Sequence, residues 1–476
     1  MSFVSGFFVP LQHGQPRPCV RLISMLSIGT NQMRDCQGMS RRSLLRLGSA
    51  LPFAAGLGIG EEALGAVAPK AKSVMVIFLI GGPSHLDLFD PKPNAGQQYR
   101  GPFNTIATKT PSLRFTELVP KLAARSDKFS LIRTNINYSG GHRPAGSIAM
   151  TGKVATDGGE EKGGKPAGYQ PNFGSVLARA RGFDNLPGFI SIAKGPIGDG
   201  VGPMHGYGGG IWGKRHDPFM ISCSESGTVS LPDLKLMRGI TPGRLSDRSK
   251  LLAELNQARR RIDNSRVDQL DKIYKQAYQL LTSAKTNKAF DLSQESKKTR
   301  DRYGKTSFGQ SCLLGRRMVE AGVPYVQVNW SQFVEVFYPF SDYGWDTHAD
   351  NFELMSDWHG PLLDQCLSTL LDDLESRGLL DSTLVLCLGE FGRTPRVNNI
   401  GSRDHWHHCY FSLWAGGGVK PGRVIGESDA RGEQPVTKPV TPEMVGTTLL
   451  ELAGVHTAQR ASLNVLPGGE VIDELM

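Results

Sequence analysis

The sequence is poor in cysteine, and no two cysteines stand at the close spacing of a zinc knuckle or a redox pair. The seven are scattered along the chain: Cys19, Cys36, Cys223, Cys312, Cys366, Cys387 and Cys409. Such spacing argues against a disulfide framework. The chain has 476 residues with 39% hydrophobic side chains, which is enough for one large core or two moderate ones.

Long apolar runs are missing beyond residue 68, where no stretch reaches the roughly 18 apolar residues of a membrane-spanning helix. We therefore expect no stable membrane span there. Basic residues are not interleaved with aromatic ones along one face, which argues against a nucleic-acid partner. The formal net charge of the whole chain is +9. Residues 69–476 are less basic, and a mildly basic surface suits an anionic small-molecule or polysaccharide substrate, although such a surface is usually only solvated.

A twin arginine precedes the apolar part of the N-terminal region. Arg41 and Arg42 stand before a short segment rich in Gly and Ala, within residues 39–68. This arrangement predicts a twin-arginine export signal, cut near residues 63–68, with the twin-arginine translocase as a partner during export. A permanent membrane span is the alternative, but glycine and proline interrupt the apolar part.

The export signal sets the expected boundaries of the chain. Residues 1–38 resemble no domain, and Met39 would make a natural start, so the upstream segment could be a mis-set beginning. Residues 69–476 are expected to form the mature domain, exported to the periplasm or cell envelope. Proteins that use this route fold before export, and metal-loaded enzymes are frequent among them.

Four apolar runs rich in β-branched residues predict buried strands of a parallel sheet. The first, KSVMVIFLIGG, is closed by two glycines, and the others are KFSLIRT, GVPYVQVNW and STLVLCLGE. Helical stretches precede the last two runs, and each ends at a glycine suited to a helix C-terminus. Strands alternating with helices predict a three-layer α/β domain with a mostly parallel central sheet.

Three other segments have distinct compositions. Residues 245–305 are charged and strongly helical, which predicts a helical insertion; a coiled-coil partner helix is the alternative, but a sustained heptad is missing. Gly198–Phe219 is too rich in glycine for a regular element. Near the end of the chain, Thr441 as N-cap and Pro442 at the first helical position predict a terminal helix.

Polar clusters follow three of the predicted strands, at the edge where the ligands of a parallel sheet gather. They are GGPSHLD, WDTHAD, and GEFG with the later RDHWHH. Aspartate, glutamate and histidine together suit a divalent metal. Each residue alone has an ordinary explanation: Asp346 could cap a helix, His348 could face water, Glu390 could pair with Arg393 or Arg396, and HWHH could be a polar loop.

A further candidate feature is GHRPAGSIAMTGK, which follows the KFSLIRT run. Pro144 suits a first helical position, and the small residues after it predict a helix. Because a helix start has free backbone N–H groups, His142 and its neighbours could face a phosphate or sulfate. The alternative is a tightly packed helix with an ordinary cap.

In their order, these motifs resemble the alkaline phosphatase and sulfatase superfamily. HRPAGSIAMTG is similar to the sulfatase pattern Cys-x-Pro-x-Arg-x-x-x-x-Thr-Gly, with Pro144, Thr151 and Gly152 in register. WDTH and the strand ending GEFG are similar to the superfamily's Asp and His ligands and its Ser-Asp-His-Gly or Ser-Asp-Asn-Gly strand end. RDHWHH stands where a late His ligand is common. The resemblance implies an alkaline-phosphatase-like fold over most of the mature chain.

Longer stretches are similar to a narrower bacterial family of exported proteins of uncharacterised function, placed in that superfamily by fold. The stretches are FLIGGPSHLDLFDPKP, FGQSCLLGRRMVEAGVPYVQVN, GEFGRTPRVN and GRVIGESDA. That family brings little established chemistry, so the function has to be inferred from the residues of the site.

The sequence departs from the superfamily pattern at its central positions. His142 stands at the position of the nucleophile and Gly146 at that of the activating arginine, which excludes a formylglycine mechanism. In the late strand motif Glu390 replaces Asp and Phe391 replaces His or Asn, so one metal position could be weakened or lost.

The end of the first strand departs as well. Gly81 and Gly82 stand where superfamily members commonly place one or two Asp residues. His85 or Asp87, which follow shortly after, could substitute for them.

The resulting hypothesis is a metal-dependent hydrolase of a phosphate or sulfate ester. The metal, for which zinc, manganese, calcium and magnesium are candidates, would polarise the ester and lower the pKa of a bound water. His142 would accept the group covalently or act as a general acid or base. His85, Arg393 and Arg403 would bind the anionic group. The expected metal ligands are Asp346, His348, Glu390, His405 and, directly or behind another ligand, Asp404.

Two other functions are consistent with the sequence. A non-catalytic exported protein with an eroded site could bind a polysaccharide or an envelope partner through the Gly198–Phe219 segment. The altered nucleophile position favours this function, and the retained Asp, His and Glu clusters disfavour it. A metal-dependent mutase or transferase is the third possibility.

Overall fold

The structure of the protein is a computed structural model that describes residues 69–155, 168–182, 186–195, 197, 204–231, 288–330 and 344–476. The upstream segment, the predicted export signal and residues 245–287 of the expected helical insertion lie outside the described residues. Within the described ranges, no helix combines the length and the apolar character needed to cross a membrane.

Among the described residues, a nine-stranded mixed sheet is accompanied by two small two-stranded sheets. The strands of the described residues are β1 (Ser73–Leu79), β2 (Thr105–Ala107), β3 (Arg114–Thr116), β4 (Ser130–Asn135), β5 (Phe189–Ile192), β6 (Phe219–Cys223), β7 (Val229–Ser230), β8 (Tyr325–Trp330), β9 (Thr383–Leu388), β10 (Gly392–Arg393), β11 (His405–Trp406), β12 (Tyr410–Ala415) and β13 (Val424–Ile425). The order in the large sheet is β13-β4-β12-β9-β1-β8-β5-β6-β7.

The middle of the large sheet is parallel. β9, β1, β8, β5 and β6 run side by side in one direction, whereas β12 is antiparallel to both β9 and β4, and β7 is antiparallel to β6. The four predicted strands are β1, β4, β8 and β9, and their side chains are almost entirely buried. The predicted α/β class with a mostly parallel central sheet is confirmed.

Helices cover both faces of the sheet. Those of the described residues are α1 (Gln97–Arg100), α2 (Pro120–Ala123), α3 (His142–Thr151), α4 (Phe173–Arg181), α5 (Lys297–Tyr303), α6 (Ser307–Glu320), α7 (Asn351–Leu354), α8 (Gly360–Ser376), α9 (Pro442–Leu452) and α10 (Thr457–Leu463). A π-helical turn, Met355–His359, joins α7 to α8. Short 3₁₀ turns occupy Ser126–Lys128, Gly210–Trp212, Lys214–His216, Leu292–Gln294, Leu380–Ser382 and Asp473–Leu475.

Alternate residues of β1 show the three layers directly. Met75, Ile77 and Leu79 belong to one apolar cluster that includes residues of α6 and α8. Val74 and its alternate neighbours belong to a second cluster, which includes residues of α3, α4 and α9. A strand that is apolar on both faces needs cover on both, which explains the continuous apolar runs in the sequence.

The start of one predicted helix agrees with the sequence, and the start of another differs. Thr441 caps α9, accepting a hydrogen bond from the N–H of Met444 at 3.2 Å, as predicted. Pro144 is the third residue of α3, because Gly141 is already the N-cap and His142 begins the helix. Within the glycine-rich segment, the described residues 204–219 contain two three-residue 3₁₀ turns and the first residue of β6, and the others lie in neither a helix nor a strand.

Candidate functional site

The candidate site lies at the carboxyl edge of the sheet. β9 ends just before Glu390, and β4 leads through a glycine turn to His142, the first residue of α3. Because β12 runs antiparallel to both strands, β4 and β9 point the same way and their ends share one edge. This is the edge at which parallel α/β sheets bind ligands.

Two backbone contacts bring in the remaining segments. The N–H of Trp345 donates to the carbonyl of Ile80 at 2.8 Å, which holds Asp346 beside the end of β1. The antiparallel pair β10–β11 places Arg393 opposite His405. Segments that are far apart in the sequence therefore converge at one point.

Three imidazoles meet the carboxylate of Asp346. The Nε2 atoms of His405 and His348 lie 2.9 and 3.0 Å from its Oδ1, and the Nε2 of His142 lies 2.9 Å from its Oδ2. The Nε2 atoms of His348 and His405 are 2.9 Å apart. The candidate ligand atoms of His142, Asp346 and His405 all lie within 4.8 Å of one another, a spacing that one metal ion can bridge.

The other nitrogen of each imidazole is held by an acceptor of the protein. The Nδ1 contacts are 2.7 Å from His142 to Glu390 Oε1, 2.9 Å from His348 to Asp404 Oδ1, and 2.8 Å from His405 to the carbonyl of Gly140. Carboxylate and carbonyl oxygens only accept, so each Nδ1 carries the hydrogen. In the neutral rings, each Nε2 then directs a lone pair toward Asp346.

This arrangement fits a divalent metal ion. Three lone pairs and a carboxylate repel one another unless a proton or a metal ion lies between them. The buried Nε2 of His142 lies 2.9 Å from Oδ2 of Asp346, close enough to share a proton or a metal ion with it. Three imidazole nitrogens and one carboxylate oxygen are a donor set that suits zinc and related divalent metals.

The pKa values of the cluster reflect the same crowding. Burial lowers the pKa of His142, but hydrogen bonds and charges of Asp346 and Glu390 outweigh burial and raise that pKa to about 9. Burial raises the pKa of Asp346, yet the hydrogen bonds of the three histidines and the charge of Arg393 hold it far below its usual range. Burial lowers the pKa of His405. Protonation of part of the cluster therefore balances the carboxylate charges.

Exposure rises from one side of the site to the other. His142 and Asp346 are 8% and 12% exposed, whereas His348 and Asp404 are 44% and 51% exposed. On the closed side, the ring of Phe391 lies 5.0 Å from that of His142. A substrate would therefore approach from the side of His348 and Asp404.

A buried amide connects the segments that carry these groups. The Nδ2 of Asn137 donates to the carbonyl of Glu390 at 2.8 Å and to that of Ala145 at 3.0 Å, and its backbone N–H donates to the carbonyl of His407 at 2.8 Å. Asn137 was missed by the sequence analysis. Its position two residues after the end of β4, at the edge where ligands gather, was the signal that could have revealed it.

The structure brings together part of the predicted set. Asp346, His348 and His405 meet directly, and His142, predicted to be catalytic, stands among them as a possible ligand. Glu390 does not reach the centre: its Oε1 lies against His142 and accepts from the N–H of Gly81 at 2.8 Å. Asp404 likewise lies behind His348 and, as expected, could serve behind another ligand. The assignment of metal ligands stays a prediction.

The ordinary alternatives for these residues are less consistent with the structure. The N-cap of α7 is Asp350, so Asp346 does not cap that helix. Among the described residues, the hydrogen bonds of the Glu390 carboxylate go to His142 and Gly81 rather than to an arginine.

The three residues predicted to contact the substrate are all buried. His85 lies with its Nε2 2.9 Å from the carbonyl of Gly432, and burial lowers its pKa. Arg403 forms a two-contact pair with Asp87 at 2.7 and 3.0 Å. Arg393 bonds Asp346 at 2.6 Å and is surrounded by carbonyls. Both guanidinium groups are occupied by the protein itself, which does not favour substrate binding by them.

The two glycines after β1 leave no room for a side chain. A Cβ on Gly81 would lie 2.1 Å from the backbone nitrogen of Asp346, and one on Gly82 would lie 2.4 Å from the ring of Phe391. Asp87, the suggested substitute, is used by Arg403 and by Asn351, whose Nδ2 is 3.2 Å away. Close packing at these two positions thus explains why no aspartate follows the first strand.

Comparison with known proteins yields one family match and several distant structures. Residues 71–463 match the family described as "Protein of unknown function (DUF1501)". No curated protein is significantly similar to the sequence.

The similar solved structures have low sequence identity. They include Ps i-CgsB in complex with k-i-k-neocarrahexaose, at 13% identity and TM-score 0.39, covering 82% of this chain and 74% of that chain. They also include the phosphonate monoester hydrolase SpPMH from Silicibacter pomeroyi, at 12% and 0.36, covering 84% and 77%. A third is the PsFucS1 sulfatase from Pseudoalteromonas sp., at 15% and 0.32, covering 87% and 70%.

Proposed function

The chain belongs to the DUF1501 family, whose description assigns no activity, and we propose from its site that it is an exported, metal-dependent hydrolase of phosphate or sulfate esters. The observation that carries the proposal is the orientation of the three imidazoles. Each directs its Nε2 to Asp346, while its Nδ1 is held by an acceptor. Polar groups anchored in this way are typical of metal ligands and their supporting shell.

The expected ligands are His142, Asp346, His348 and His405. A divalent ion held by them would polarise an ester oxygen and supply a water of lowered pKa. The protein itself holds the four groups together, since backbone contacts of β10, β11 and the end of β1 fix the segments that carry them.

Supporting residues keep the ligands in the required state. Glu390 and Asp404 accept the Nδ1 hydrogens of His142 and His348, so that the Nε2 atoms remain directed inward. The ring of Phe391 covers the closed side and excludes bulk water there. The site is thus buried on one side and open on the other.

Attack on the ester falls to water in this proposal. His142 occupies the place at which a side-chain nucleophile was expected, but its Nε2 belongs to the ligand cluster and its Nδ1 to Glu390. Both ring nitrogens are therefore engaged, and covalent transfer to His142 becomes the less favourable alternative. The ester anion would lie near the first turn of α3, whose N-cap Gly141 offers no side-chain cap.

Export is the second part of the proposal. The twin arginine within residues 39–68 supports passage through the twin-arginine translocase to the periplasm or cell envelope, with residues 69–476 as the mature domain. Substituting both Arg41 and Arg42 by lysine should retain the full-length chain in the cytoplasm. Secretion of this double variant at the wild-type level would contradict the proposed route.

The central experiment combines elemental analysis with an ester screen. Wild-type protein is compared with the double variant Glu390→Ala, His405→Ala and with Arg396→Ala, a control at an exposed residue of the same segment. We expect metal and hydrolysis of a phosphate or sulfate ester in the wild type and control, and neither in the double variant. Metal-free wild-type protein, or hydrolysis that survives complete chelation, would contradict the proposal.

A non-catalytic binding protein remains the second candidate because one observation favours it. Gly81 and Gly82 occupy the positions of acidic residues with close-packed backbone, so the site has fewer acidic groups than its resemblance implies. Stoichiometric metal without turnover of any ester, together with retention on an anionic polysaccharide, would support this second function.

A further inference from the structure

Arg393 is a fully buried residue whose three guanidinium nitrogens are all bonded to oxygens of the protein. Its acceptors are the carbonyls of Gly82 (2.9 Å), Trp345 (2.9 Å), Arg403 (3.3 Å) and Gly81, and Oδ1 of Asp346 (2.6 Å). These five oxygens are called the Arg393 cage below. Four carbonyls and one carboxylate around a single charge resemble the oxygen ligands of a hard metal cation.

The Arg393 cage is part of the close packing at the end of β1. Gly81 and Gly82 have φ values of +114° and +83°, a backbone region that favours glycine. A Cβ at either position would collide with the backbone of Trp345 and Asp346 or with the ring of Phe391. The two carbonyls that face Arg393 are thus fixed in place by their surroundings.

Arg393 and the expected metal share one carboxylate. Arg393 binds Oδ1 of Asp346, while Oδ2 faces His142 at 2.9 Å. The guanidinium therefore fixes the rotation of this carboxylate and adds a positive charge beside the ligand cluster. A buried carboxylate deprived of such a partner is strongly destabilised.

Formal charges suggest how many metal ions the site needs. The cluster and its anchors contain three carboxylates, Asp346, Glu390 and Asp404. One divalent ion together with Arg393 would balance them, whereas a second divalent ion would add two uncompensated positive charges. Such excess charge is unfavourable in a partly buried site.

We propose that Arg393 is a built-in cation that takes the place of a second metal ion, so that the centre binds a single divalent ion through an Asp346 carboxylate that Arg393 positions. The inference rests on the proposed metal site and makes Arg393 a positioning residue. It replaces the expectation that Arg393 binds the anionic group of the substrate.

The test uses chelator-treated full-length protein titrated with Co²⁺, whose visible absorption reports the ligand geometry. We expect one Co²⁺ per wild-type chain and per chain of the Arg396→Ala control. Arg393→Ala should bind Co²⁺ roughly 10- to 100-fold more weakly, with a changed absorption band. Free guanidinium ion, added well below denaturing concentrations, should restore both affinity and band because it can re-enter the cage. Arg393→Lys keeps the positive charge but lacks the planar array of donors, so its Co²⁺ affinity should lie between those of the wild type and Arg393→Ala.

Two Co²⁺ ions per wild-type chain, or Arg393→Ala with wild-type affinity and band, would overturn the inference. Failure of guanidinium to restore a folded Arg393→Ala variant would also count against it. If that variant does not fold, the wild-type stoichiometry and the Arg393→Lys spectrum decide the question. One bound ion without ester hydrolysis would contradict the proposed function alone, whereas two ions with hydrolysis would contradict this inference alone.

Discussion

Arg393 and Arg403 are both fully buried, and each pairs with a carboxylate. The two pairs differ in how many carboxylate oxygens the guanidinium group occupies. Arg403 occupies both oxygens of Asp87, at 3.0 and 2.7 Å. Arg393 holds only Oδ1 of Asp346, and three imidazoles surround that carboxylate. A carboxylate saturated by one guanidinium is structural, whereas one held by a single oxygen can still bind a metal.

The strongest way to break this comparison is to remove the carboxylate of the expected metal site. Asp346→Ala should lose metal beyond detection, because every imidazole of the cluster is directed to this side chain. Elemental analysis of the folded variant, verified by circular dichroism, is the measurement. Stoichiometric metal in Asp346→Ala would place the binding site elsewhere.

Removal of the other carboxylate should have a different effect. Asp87→Ala leaves the guanidinium of Arg403 buried without its counter-charge and should lower the free energy of unfolding by about 3–5 kcal/mol. The folded fraction should still bind one divalent ion. Urea denaturation and metal analysis of the same sample test both statements. A stable but metal-free Asp87→Ala variant would show that the Arg403–Asp87 pair also serves metal binding.

The comparison can be sharpened with the anchors of the imidazoles. Glu390→Gln should weaken metal binding by roughly 10- to 100-fold, because a neutral amide holds the Nδ1 hydrogen of buried His142 less strongly. Asp404→Asn is the matched variant at an anchor that is 51% exposed, and water should replace much of its effect. Metal affinity is read from competition with a chelator. Equal losses in both variants would mean that burial of the anchor does not matter.

The smallest expected effect is a pH dependence confined to the metal-free protein. His142 has its pKa raised from 6.5 to about 9, so its stabilising contribution is complete below pH 6.5 and is lost as the pH rises through about 9. Unfolding of chelator-treated wild type should therefore become easier between these pH values. His142→Gln should show a weaker dependence, and an equal slope in both proteins would assign the effect to another group.

Much of the fold was readable from the sequence because its strands are apolar on both faces. The runs that became β1, β4, β8 and β9 needed no tertiary information, and Thr441 identified the start of α9. Pro144 misled the placement of α3 by two residues, since a glycine N-cap carries no side-chain signal. A helix start is predictable where a side chain caps it, as Thr441 does, and is not predictable where the cap is a glycine without a side chain.

The residues of the site could be predicted from the sequence, but their arrangement around the centre could not. The sequence indicated that Asp346, His348, Glu390 and His405 follow strand ends, because the carboxyl ends of parallel strands share an edge. It could not show that Glu390 stands behind His142, since that depends on the length and path of two loops. The hydrogen bonds from Arg393 to backbone carbonyls also could not be predicted, because every residue has a carbonyl and the sequence does not show where it points.

The central position of β1 has a consequence for how the chain folds. Val74 near its start pairs with Tyr325 on one side and with Leu384 on the other. Because both partner strands, β8 and β9, lie in the second half of the sequence, the hydrogen bonds between them and β1 cannot form until that half is available. Closing such long loops is slow, and partners that appear late in synthesis delay it further. We expect native structure to form only after synthesis is nearly complete, which makes the nascent chain a natural client of chaperones.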